Sequence, residues 1–114
     1  PGMKYRHYAP KAPVTVVCGD ANKTAEYIKQ NANKTAGILC FKEYMNVFSD
    51  YKCFEMGFKD DVSSQAKRIF DALRAFDETD VTEIWTQCPS DEGLGLAVAN
   101  RLKKAAGFHV INLG

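Results

Sequence analysis

Val14-Thr15-Val16-Val17-Cys18-Gly19-Asp20-Ala21-Asn22-Lys23-Thr24-Ala25 is the stretch that decides the fold. Five residues, mostly apolar and β-branched, suit a strand buried on both faces, and Gly19 and Asp20 stop the run abruptly. Ala21, Ala25, Ile28 and Ala32 then recur at helical spacing, with Asp20 placed to cap the helix and Asn33 near its end. A buried strand that runs straight into an amphipathic helix is the opening half of a crossover unit, because parallel neighbours cannot be joined by a tight turn.

The same alternation continues downstream. Ile38 to Phe41 is a second apolar run, Cys53 to Phe58 a third, and Glu83 to Cys88, with Ile84 and Trp85, a fourth that ends at Pro89. Asp60 and Asp61 offer caps for a helix carrying Ala66, Ile69, Phe70, Leu73 and Phe76 on one stripe, the strongest helical pattern in the chain. Ser90 can cap the next helix, which presents Leu94, Val98, Leu102 and Ala105, ends at Gly107 and leads into Phe108 to Leu113. Residues 42–51 are a connection: Tyr44, Met45, Val47 and Phe48 fit either a short helix or an irregular crossover. The pattern predicts an α/β, Rossmann-like fold, a mainly parallel sheet of about five strands with helices on both faces. Topology rules suggest the strand order 3-2-1-4-5.

The chain has 114 residues, 46% hydrophobic and 25% charged, enough for one core. Its formal net charge of +1 argues against nucleic acid or an anionic membrane as partner of the whole surface. No apolar run approaches the roughly 18 residues of a membrane-spanning helix, and no secretory signal precedes the domain, so a soluble, cytoplasmic protein is expected. Cys18, Cys40, Cys53 and Cys88 are far apart, form no C-x-x-C pair and read as buried structural thiols, with no metal or disulfide role indicated. The absence of an initiator methionine suggests a piece of a longer protein.

Before the first strand stands Pro1-Gly2-Met3-Lys4-Tyr5-Arg6-His7-Tyr8-Ala9-Pro10, followed by Lys11, Ala12 and Pro13. Residues 1–13 read as an arm and 14–114 as the folded domain. Pro10 and Pro13 disfavour helix, while Lys4, Arg6 and His7 supply donors and Tyr5 and Tyr8 supply stacking faces. Such a segment can meet phosphate and bases, can cover a nucleotide pocket on a neighbouring domain, or can be a solvated linker.

The body carries no comparable chemistry. Residues 19–24 faintly echo a phosphate loop, but Asn22 stands where that motif requires glycine, and a capped helix start is the plainer reading. Gly93 and Gly95 open the third helix beside Asp91 and Glu92, whose charges would repel an anion, so close helix packing explains them better. His109 reads as a structural strand residue. Neither Cys18 nor Cys88 has an evident base or orienting partner, and no catalytic residue is assigned.

The arm, Phe70-x-x-Leu73-Arg74-x-Phe76-Asp77, Glu92-Gly93-Leu94-Gly95-x-Ala97-x-x-Asn100-Arg101-Leu102 and Ala105-Ala106 together resemble the linker and C-terminal domain of two-domain threonylcarbamoyl-AMP synthases. The arm and the glycine-helix motif are specific in combination, and residues 14–58 match only in pattern. In that family a YrdC-like catalytic domain converts ATP, with Mg, threonine and bicarbonate into threonylcarbamoyl-adenylate, which serves modification of adenosine 37 in tRNA. The resemblance implies a linker and an accessory domain without that catalytic half, inactive alone and holding no cofactor of its own. Lys4, Tyr5, Arg6, His7 and Tyr8 are then lid contacts to nucleotide or substrate in the catalytic domain of the same polypeptide, Tyr8 foremost. ATP and threonine would be met only through that domain. Two other readings stay open: a small-ligand or nucleotide-binding Rossmann-like module, and RNA contact through the arm, ranked last because the net charge is so low.

Overall fold

A computed structural model describes residues 10–88, 93–107 and 109–113. The elements alternate as β1 (Val14–Cys18), α1 (Ala21–Asn31), β2 (Ala36–Cys40), β3 (Lys52–Glu55), α2 (Val62–Phe76), β4 (Glu83–Gln87), α3 (Gly93–Ala105) and β5 (Val110–Asn112). All four pairings are parallel, and the spatial order is β3-β2-β4-β1-β5. The five-stranded α/β prediction holds, but the order 3-2-1-4-5 is corrected: β4, not β1, lies beside β2. Strands β1 and β2 are both buried throughout, so periodicity cannot say which neighbours they take; a side chain at the end of β4 does, as described below.

Helices cover both faces. Val14, Val16, Leu39 and Ile84 point to one side, where Ile69, Leu73 and Phe76 of α2 and Val98 and Leu102 of α3 close the core. Val17, Ala36, Ile38 and Cys40 point to the other, against Ala25 and Ile28 of α1. The full burial of β1 and β2 on both faces explains why they read as continuous apolar runs instead of alternating ones.

Asp20 caps α1 as the sequence indicates, its Oδ2 accepting from Lys23 N at 3.2 Å. Asp61 occupies the N-cap of α2 without a side-chain cap bond. Gly107 ends α3 at φ +63, the left-handed conformation that glycine adopts without penalty. Gly37 has a packing reason: a Cβ there would lie 2.5 Å from the ring of Phe76, which is buried and also packs edge-on against Phe54 at 4.7 Å.

Residues 42–51 form a 3₁₀ turn, Lys42–Tyr44, and a chain of tight turns. Phe48 from this crossover is fully buried in the α1-side core, and Tyr44 Oη donates to Asn22 Oδ1 on α1. Strands β3, β4 and β5 are shorter than the predicted runs because Met56, Cys88 and His109 lie outside the ladder. Ser90, Pro89 and the carboxylates of Asp91 and Glu92 fall outside the described residues.

Candidate functional site

Open parallel sheets bind ligands where neighbouring strands send their chains to opposite faces at the carboxyl edge. Here β1 leads to α1 on one face and β4 leads to α3 on the other, so the crevice lies beside Gln87. Gln87 fills it. Its side chain is fully buried, Oε1 accepts from Phe41 N at 2.8 Å, and Nε2 donates to Ala21 O at 3.0 Å and Thr24 Oγ1 at 3.1 Å. One amide therefore joins the exits of β2 and β1 through β4, an arrangement available only when β4 lies between them.

The neighbouring loop is equally occupied. Lys23 N bonds the Asp20 carboxylate, Thr24 N bonds Asp20 O at 2.8 Å, and the Thr24 hydroxyl donates to Ala21 O at 2.9 Å. A phosphate would find these donors engaged, which agrees with the capped-helix reading of residues 19–24. At the start of α3, Gly95 is buried.

The amino edge differs. Pro10 is buried, Lys11 N donates to Asp77 Oδ1 at 3.0 Å, and Ala12 packs on the α2 and α3 side of the core. Pro13 O accepts from Ile84 N at 2.9 Å. The last four residues of the arm thus run along the body, held at the C-terminal end of α2. Lys4, Tyr5, Arg6, His7 and Tyr8 lie outside the described residues. Asp77 and Phe76 belong to the motif Phe70-x-x-Leu73-Arg74-x-Phe76-Asp77, so that motif fastens the segment entering the domain.

Remaining candidates resolve into structural tasks. His109 Nδ1 is 3.1 Å from Thr15 Oγ1, bridging β1 and the approach to β5. Glu83 accepts from Asn33 N and Trp85 Nε1, tying β4 to the end of α1. Buried Gln65 donates through Nε2 to Phe58 O at 2.7 Å, closing the loop after β3 onto α2. Gln65 and Gln87 are buried glutamines that pattern reading missed. Glutamine carries no periodic signal, and only the position of Gln87 at the end of an apolar run could have drawn notice.

The cysteines need a correction. Only Cys18 and Cys40 are buried, whereas Cys53 and Cys88 are half-buried. Cys40 and Cys53 also meet, Sγ to Sγ, at 3.3 Å, though thirteen residues separate them. Their shared hydrogen bond pushes the Cys40 thiol upward, with burial adding to it, and draws Cys53 downward against its own burial.

Among the described residues no helix is long and apolar enough to cross a membrane, and no three His, Cys, Asp or Glu side chains converge as a metal site. A groove of about 410 Å³ runs between α1 and the crossover, past Glu26, Lys29 and Val47, and the Lys29 ammonium is spent on Val47 O at 2.9 Å.

Taken together, these features define a doubly wound α/β domain in which Gln87 ties the strand exits together at the carboxyl edge and a preceding segment is fastened at the opposite edge. The chain belongs to the family of C-terminal domains of threonylcarbamoyl-AMP synthase, whose model matches residues 1–107. It is 39% identical to the threonylcarbamoyl-AMP synthase of Bacillus subtilis over 97% of its length, and 39% identical to that of Pyrococcus abyssi over 99%. Each alignment covers 33% of the relative, so the chain spans about a third of the length of these curated relatives. The crystal structure of P. abyssi Sua5 complexed with L-threonine superposes over the whole chain and 34% of that protein, with TM-score 0.70 and 36% identity. The C-terminal Sua5 domain from Pyrococcus horikoshii, solved by itself, matches 91% of this chain and 99% of its own with TM-score 0.60 and 27% identity.

Proposed function

We propose that this domain is the accessory half of a two-domain threonylcarbamoyl-AMP synthase, anchoring a linker whose residues Lys4 to Tyr8 close over a YrdC-like catalytic pocket. The observation that carries this reading is the Asp77 bond to Lys11 N, which holds the linker at a defined point of the body. A strap tethered on one side reaches a neighbouring pocket with less entropic cost than a free one. One solved relative, a variant of P. abyssi Sua5, has an adjacent histidine and tyrosine both replaced by alanine. The dipeptide occurs once here, at His7-Tyr8, which supports giving these two positions a task.

In this reading the catalytic domain binds ATP, with Mg, threonine and bicarbonate and releases pyrophosphate as threonylcarbamoyl-adenylate forms. The lid excludes water from that reactive adenylate, Arg6 and Lys4 meet phosphate charge, and Tyr5 and Tyr8 cover the nucleotide. The product would serve tRNA modification without direct tRNA contact by this domain, in the cytoplasm. The engagement of the Gln87 amide by Phe41 N and Ala21 O weighs against the alternative of a ligand-binding module.

The test is pyrophosphate release from ATP, threonine and bicarbonate. The chain alone should be inactive, and joining it to a YrdC-like half should give synthesis that drops at least tenfold in Tyr8→Ala. Synthesis by the chain alone, or full activity of the joined Tyr8→Ala variant, overturns the reading.

A further inference from the structure

Three sulfur atoms gather on the α1 side of the sheet and have no part in the reading above. Cys40 Sγ on β2 lies 3.3 Å from Cys53 Sγ on β3. Met45 Sδ, from the crossover between those strands, is 3.4 Å from Cys53 Sγ and 3.7 Å from Cys40 Sγ. Both cysteines are free thiols. Three successive segments of chain thus converge on a small triangle of soft donors. We propose that Cys40, Met45 and Cys53 form a binding site for one soft monovalent cation, Cu(I), in three-coordinate all-sulfur geometry.

The triangle has the right size. A planar three-coordinate ion with metal–sulfur bonds of about 2.3 Å spaces its ligands about 4 Å apart. The observed edges must open by less than about 1 Å: rotations of the unbranched methionine lengthen the two edges that it makes, and a small χ1 rotation of half-buried Cys53 lengthens the Cys40–Cys53 edge. The donor set also selects the ion. Thiolate and thioether sulfurs favour Cu(I), whereas structural zinc requires four ligands and hard cations require oxygen. Among the described residues no third His, Cys, Asp or Glu joins the cysteines. The carboxylate nearest along β3, Glu55, is held by Arg68 Nη1 at 3.0 Å.

Access and consequence follow from the fold. Cys40 is fully buried, but Cys53 and Met45 are half-buried and β3 is an edge strand, so an ion can enter from that side without opening the sheet. Uptake displaces one proton from each thiol to solvent and gives a bis(thiolate)–thioether complex with one net negative charge. No electron is transferred and no oxidant is needed. The bound ion would cross-tie β2, the crossover and β3, clamping the edge of the sheet.

The experiment titrates the reduced 114-residue chain anaerobically with Cu(I) in competition with the chelator bicinchoninate, with native mass spectrometry for stoichiometry and X-ray absorption for ligand number. We expect one ion per chain, three sulfur neighbours near 2.3 Å and a raised Tm. Met45→Leu should lower affinity on the order of tenfold and Cys53→Ser on the order of a hundredfold, while Cys18→Ser and Cys88→Ser leave it unchanged. Met45→Leu preserves volume and keeps the test valid if Cys53→Ser fails to fold. Failure to withdraw Cu(I) from the chelator, unchanged affinity in Met45→Leu, two sulfur neighbours instead of three, or a Cys40–Cys53 disulfide as the product would each overturn the proposal.

Discussion

The two edges of the sheet reverse the usual division of labour in this architecture. At the carboxyl edge, where such sheets ordinarily open to ligands, the Gln87 amide is spent on neighbouring chain exits and the donors of the α1 start bond within their loop. The amino edge, usually a plain end, receives the incoming segment through buried Pro10 and the Lys11–Asp77 bond. The difference teaches that in a fold associated with ligand binding a single buried amide can turn carboxyl-edge polar groups to holding the sheet together.

The comparison can be broken first at Gln87. Gln87→Ala strands the Phe41 N–H in the interior and opens a cavity, so stability should fall by about 3 kcal/mol. A urea midpoint shifted at unchanged m would register it, and a loss below about 1 kcal/mol would mean that the crevice is not held by this residue. Asp20→Ala tests the helix start at the same edge: loss of the cap should cost about 1 kcal/mol by thermal unfolding.

At the amino edge, Asp77→Ala should cost about 1 kcal/mol, while Asp77→Asn, which keeps an acceptor for Lys11 N, should cost less. The sharper readout is in the joined two-domain enzyme, where Asp77→Ala should slow pyrophosphate release severalfold if the anchor serves the lid. Arg68→Ala belongs to neither edge. Its ion pair with Glu55 is surface-exposed, and its loss should change stability by less than about 0.5 kcal/mol, measured in the same urea titration.

Much of the scaffold was legible from residue order. Val14 to Cys18 followed by Asp20 implied strand, cap and helix, and the stripe through Ile69, Leu73 and Phe76 implied the helix that closes one core. Residues 42–51 were not legible as structure, because a string of tight turns has no period, although Phe48 was marked by its size. Candidate chemistry was legible only as resemblance. The link from Asp77 to Lys11 joins positions 66 apart, and nothing local to either residue encodes it.

By itself the sequence determined which segments are strands and helices, which faces they bury, and which family of domains the chain is similar to, because these depend on short-range periodicity and contiguous motifs. Only the tertiary structure decided that β4 lies between β1 and β2, that Gln87 bonds Phe41 N and Ala21 O, and that Cys40, Met45 and Cys53 come together. Each of those depends on which equally apolar strand becomes a neighbour, and that choice is made by side-chain hydrogen bonding and packing between segments distant in the chain.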